Sequence, residues 1–290
     1  MKHGLLYGFI FICIGSIFGQ TTNITGTIEW RKMEINASVK INLANEGIYL
    51  PVGRIHAEET ISDQYPHLMR PHLLSLPVDS STTLIDLLNR GEISLLGTDT
   101  ISLTAKKRAP ALSTDLKVMS ANYTLNLGNL SASLILHSRP RETIRTLTPA
   151  PVASYTGIII IAYELLPIHG RNTRAMVLPC LFPKIWDTDM NLIYERNMVD
   201  PQTVKTIIRY VDPESIFTQT PSGLDEDLAK FVGSNPLRII ARGVFGLRPT
   251  DPIIDKDDAL LIISSERNRM LLREGKVAIV LNRSVLTNTF

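Results

Sequence analysis

Tyr155-Thr156-Gly157-Ile158-Ile159-Ile160-Ile161 is the stretch whose reading decides the fold. Four successive isoleucines after a glycine show neither the alternation of a half-exposed strand nor the spacing of a helical face. β-branched side chains pack well on a pleated surface, so the run predicts a central strand buried on both faces. The residues after it supply what would cover such a strand. Lys184-Ile185-Trp186-Asp187 and Asn191-Leu192-Ile193-Tyr194 flank a polar turn and predict a hairpin. Ile207, Ile208 and Tyr210 predict an extended segment, residues 224–232 a helix ended by Gly233, and residues 237–241 a strand. Asp255 or Asp257 can cap a helix carrying Ala259, Leu260 and Ile263, before a last buried strand over 276–281.

Upstream the pattern changes. Residues 26–30 and 34–42 predict strands, the second with Ile35, Ala37, Val39 and Ile41 alternating against polar neighbours. Ala57, Ile61, Tyr65 and Leu68 share one helical face, and Pro66 and Pro71 predict a kink or stop near Tyr65. Residues 80–83 predict a cap for a short helix closed by Gly91. Ile101, Leu103 and Ala105 predict one further strand, Met119 to Leu127 another, and residues 130–136 the start of a short helix.

These elements predict an α+β protein of two small helix-on-sheet domains. The expected division is a signal peptide over 1–19, an N-terminal module over 20–137, a linker over 138–154 and a C-terminal domain over 155–290. The linker is marked by Arg139-Pro140-Arg141 and by Pro149 and Pro151, and the two domains are expected to fold independently. Lys2 and His3 precede an apolar run from Leu5 to Phe18, followed by Gly19 and Gln20. That arrangement predicts export to the periplasm or outer envelope, with no transmembrane span after cleavage. A retained N-terminal anchor is the alternative. With Cys13 removed, Cys180 is left without a partner for an internal disulfide and is expected to be a small buried hydrophobe.

The chain carries a net charge of +2, with 20% charged and 44% hydrophobic residues, which gives no electrostatic case for nucleic acid. No phosphate loop, dinucleotide fingerprint, zinc-helix motif or nucleophile elbow is present, so no catalytic, cofactor or metal residues are assigned. His56, His67 and His72 do not share one helix face. Asp255-Lys256-Asp257-Asp258 lacks the glycine and terminal glutamate of a calcium loop, and helix capping explains it better. Asp187 and Asp189 can form a carboxylate pair or simply a turn. Arg139 and Arg141 are expected to be solvated. Glycosylation sequons occur at Asn23, Asn36, Asn122, Asn129 and Asn282, positions that alternating polar strands also generate.

One resemblance adds to this reading. Gly53, Arg54 and Ala57 at a helix start, then Val78-Asp79-Ser80-Ser81-Thr82-Thr83 and paired strands, resemble the N-terminal module of flagellar assembly protein T and related small bacterial envelope lipoproteins. The second half is similar to a domain found beside that module, through its Ile-rich strand, Pro183-Lys184-Ile185-Trp186-Asp187, residues 235–241, Asp258-Ala259 and residues 277–281. Relatives continue the Ile-rich strand into Asp-Ala-Arg-Gly. Here it continues as Ala162-Tyr163-Glu164, so the function of that acidic-basic pair is not carried over. The resemblance implies a non-enzymatic envelope protein with a structural or assembly role, envelope or flagellar partners and a motility connection. A periplasmic small-ligand binding protein is the alternative.

Overall fold

The structure is a computed structural model and describes residues 22–143, 152–202, 204 and 206–290. The expected signal peptide lies outside the described residues, as does part of the expected linker. The chain folds as an α+β protein in two parts, the first built on one sheet and the second on two four-stranded sheets and a two-stranded ribbon.

The first part opens with β1 (Thr22–Glu29) and β2 (Glu34–Asn42), which pair antiparallel. α1 (Arg54–Leu74), α2 (Leu84–Asn89) and α3 (Leu95–Leu103) follow. The short strands β3 (Lys106–Lys107) and β4 (Ala111–Leu112) then both pair with β5 (Val118–Asn126), after which comes α4 (Leu127–Ser133). Ile35, Ala37, Val39 and Ile41 of β2 and Met119, Ala121, Tyr123 and Leu125 of β5 all point to one buried face. α1 covers that face with Ala57, Ile61, Tyr65, Met69 and Leu73, a strict four-residue repeat. The Tyr65 ring stacks on Tyr123 at 3.8 Å between centroids.

Three expectations change here. α1 runs unbroken past Pro66 and Pro71 instead of stopping near Tyr65. Each proline removes one helical donor, but the buried stripe continues through Met69 and Leu73 and holds the last two turns on the sheet. Residues 101–105 are not a strand: Ile101 and Leu103 belong to α3, whose cap Ser94 accepts a hydrogen bond from Gly97 N. Arg70 fixes α3 against α1 through a two-pronged contact with Asp99, at 3.0 Å and 2.6 Å. The helix expected over 130–136 begins earlier, at Leu127, where Asn126 caps it.

The second part is built on β6 (Ile158–Ile161). It continues with the ribbon β7 (Leu166–Pro167) and β8 (Arg174–Ala175), the hairpin β9 (Ile185–Asp187) and β10 (Leu192–Tyr194), then β11 (Arg209–Val211) and α5 (Glu226–Val232). β12 (Leu237–Ile240), β13 (Gly243–Phe245), β14 (Asp251–Ile254), α6 (Lys256–Ile263), α7 (Glu266–Arg273) and β15 (Val277–Val280) complete it. The main sheet is parallel throughout, in the order β11-β15-β6-β12, so the Ile-rich strand is indeed central. Ile158 and Ile160 pack into the large core, and Ile159 packs on the other face with Val211, Leu228, Val232 and Val280. Ile161 is only partly buried. Gly157 precedes the run because α5 ends against it: a Cβ there would sit 2.5 Å from Val232 O.

The two parts share one continuous hydrophobic core, in which Trp30 meets Tyr210 edge-to-face at 6.2 Å. Leu181 N and Phe182 N donate to Pro77 O and Val78 O, and Arg248 N donates to Ser80 O. The final strand, β16 (Thr287–Thr289), pairs with β1 and so lies in the first sheet, although it falls within the expected 155–290 domain. The two parts are thus in contact through a shared core and these backbone bonds. The described ends of the expected linker are also anchored. Arg141 N donates to Asn197 O, and buried Asn268 donates to Ala153 O and accepts from Tyr155 N.

Candidate functional site

The helices cover only one face of the first sheet. Its other face is an open cleft of about 880 Å³ with a polar floor. Strand alternation puts Thr25 and Thr27 of β1, Asn36 and Ser38 of β2, and Asn122 and Thr124 of β5 on this side. Register then sorts them into rows across the strands. Thr289, Thr27, Asn36, Thr124 and Lys106 are successive partners across β16, β1, β2, β5 and β3. Thr25, Ser38 and Asn122 form a second row, and Arg108 N donates to Asn122 O, which places Arg108 at its end. Within the first row Thr124 Oγ1 donates to Asn36 Oδ1 at 2.9 Å.

Both rows therefore finish in a cation on the same side of the sheet. Lys106 and Arg108 are exposed and form no ion pair among the described residues. At the far side Lys32 lies 3.0 Å from Glu29. Glu34 is the acidic residue of the lining, against the three cations Lys32, Lys106 and Arg108. Hydroxyl and amide side chains each offer donor and acceptor capacity. The arrangement can bind a polar, anionic surface, and it contains no nucleophile-base pair.

A second groove of about 650 Å³ runs between the two parts, beside the ion pair of Arg31 with Asp212 at 2.6 Å. Deeper in the interface, Asp251 is fully buried. Burial pushes its carboxyl above the usual range, opposed by hydrogen bonds from Lys184 N, Thr250 Oγ1, Ser80 and the Trp186 indole. Cys180 is buried nearby and its thiol is pushed well up, chiefly by burial, so it behaves as the expected small hydrophobe.

The motifs weighed in the sequence have structural places. His56 and His67 are exposed on α1, while half-buried His72 stacks on Phe290 at 4.1 Å. Asp187 accepts from Asp189 N, Asn191 N and Asn191 Nδ2, which closes the hairpin turn, and Asp189 pairs with Lys256. Asp255 caps α6 by accepting from Asp257 N. Arg141 lies 3.3 Å from Glu195, and Arg139 is exposed. Asn36 and Asn122 stand on the open face. Sequence reading identified them only as sequons and outward strand positions, because register and the arrival of β16 carry no local signal.

Fold and site together define a two-part α+β protein whose parts pack on one another and whose first sheet keeps a polar face free. Residues 21–133 match the family model described as Treponema pallidum Tp0624, N-terminal domain. Residues 157–283 match that described as Treponema pallidum Tp0624, second domain. The chain is thus similar to these two domains in their stated order, and the descriptions assign neither an activity. No curated protein matches the chain.

Proposed function

We propose that this is a non-enzymatic protein of the cell envelope with a structural or assembly role, and that the open face of the first sheet is its contact surface. The observation that carries this reading is the pair of polar rows ending in Lys106 and Arg108, displayed on a body tied together by β16 and a shared core. A body with an extended accessible face suits holding a partner in place. The N-terminal sequence supports the envelope location, and among the described residues no helix is long and apolar enough to cross a membrane. The motility connection rests on the sequence resemblance alone.

Small-ligand binding is the second reading, favoured by the groove of about 650 Å³ between the parts. A photo-crosslinking residue at Asn122, compared with one at Glu59 on exposed α1, separates the two. Adducts from native envelope at position 122 alone are expected. No adduct at 122, or equal capture at 59, would remove the open face as the contact surface and leave the groove.

A further inference from the structure

We infer that the open face binds a linear acidic polysaccharide, with Lys106 and Arg108 holding its anionic groups. This rests on the reading of that face as the contact surface and adds the chemistry of what it contacts. Four inter-strand spacings put the first row at about 19 Å from Thr289 to Lys106. The second row lies two residues along the strands, about 7 Å away. The floor is therefore a strip of hydroxyl and amide groups, long in one direction, with its uncompensated positive charge at one edge.

Chemistry narrows the occupant. Peptides are held by a free strand edge, an apolar groove or aromatic-walled channels. This floor is a sheet face, and its six central side chains are threonines, asparagines and serine. Single-stranded nucleic acid needs aromatic platforms for its bases. The outward positions of β1, β2 and β5 hold none, and the two aromatic residues of the lining, Tyr123 and Phe290, stack instead on Tyr65 and His72 of α1. A chain of hydroxyl groups matches the donor-acceptor side chains along its length, and its acidic groups match the cationic edge. The lining carries Lys32, Lys106 and Arg108 against Glu34, and with Glu29 pairing Lys32 the local balance is +1, its free cations Lys106 and Arg108 attracting a polyanion from solution.

The test uses the full protein in affinity electrophoresis through gels holding polygalacturonate, poly-L-glutamate or neutral dextran. Retardation by polygalacturonate is expected, weakened by added salt and stronger than that by poly-L-glutamate. Lys106→Ala with Arg108→Ala should weaken it roughly tenfold, and Asn36→Ala with Asn122→Ala should weaken it with the cations intact. Lys230→Ala, exposed on α5, should leave it unchanged. Melting curves of each variant, matching the parent, exclude loss of fold. No retardation, retardation equal to that by polyglutamate, or indifference to the rim and floor variants would overturn the inference. If position 122 still crosslinks an envelope component while polygalacturonate fails to bind, the polysaccharide is wrong and the contact surface stands. If neither occurs, both fall.

Discussion

Phe290 and Gly26 exchange both of their backbone hydrogen bonds, N to O at 2.9 Å and 3.0 Å, and the Phe290 ring lies where a Gly26 side chain would be. The residues are at opposite ends of the described chain, so this contact ties the last strand of one part to the first strand of the other. It makes the first sheet a joint product of both.

Gly26→Val should weaken this closure. A Cβ at that position falls 2.5 Å from Phe290 Cζ and 2.6 Å from Asn36 O, and the second of these is backbone that cannot turn away. A loss of about 1–3 kcal/mol is expected, as for other overpacked sites. Urea melts should show it as a lower midpoint. Hydrogen exchange should show earlier opening of residues 287–290, and a parent-like melt would mean that the ring has room to move.

Ile159→Asp and Ile160→Asp should each remove several kcal/mol, comparable to the whole stability margin of a domain. The two side chains are fully buried on opposite faces of β6, so both variants must suffer if both faces are packed. Thr188→Asp in the exposed hairpin turn should change stability by about half a kcal/mol or less. Denaturation of the full chain carrying each change measures the contrast.

Asp251 should make the interface sensitive to pH. Its folded carboxyl is raised above the unfolded value of about 3.9. The folded state therefore holds its proton longer, and this group's contribution to stability falls as pH rises from the unfolded value through the folded one. Asp251→Asn removes that dependence. The difference in stability between parent and variant should move in the variant's favour as pH rises over this window, and then flatten. A difference that is constant with pH would show that the carboxyl titrates alike in both states.

Asp99 should act in the opposite sense. Its hydrogen bond and ion pair with Arg70 hold its carboxyl below the usual range. The contribution is present above the unfolded value of about 3.9 and is lost as pH falls through the folded one. Arg70→Gln should therefore flatten part of the acid limb of the stability curve and leave the Asp251 effect in place. Acid titration of the two variants, followed by circular dichroism, distinguishes the two carboxyls.

How much of this was legible in the chain follows from the range of each interaction. Local patterns marked β2 and β5 by alternation, β6 by its uniform isoleucines, and the caps by Asp255 and the residues before Leu84. Those signals are short-range, since period and capping depend on neighbours within a turn or a strand. The same logic misread α1 and α3. The prolines argued against a helix that tertiary burial of Met69 and Leu73 sustains, and the spacing of Ile101 and Leu103 suited a strand as well as a helix.

By itself the sequence determined which residues seek burial, where the α+β elements fall in broad outline, and that the outward positions of β1, β2 and β5 are polar. Tertiary structure alone decided that Thr289, Thr27, Asn36, Thr124 and Lys106 stand in one row and that the two parts share a core. Side-chain period is encoded in consecutive residues. Register and sheet closure depend on contacts between segments as far apart as Gly26 and Phe290, for which no local pattern exists.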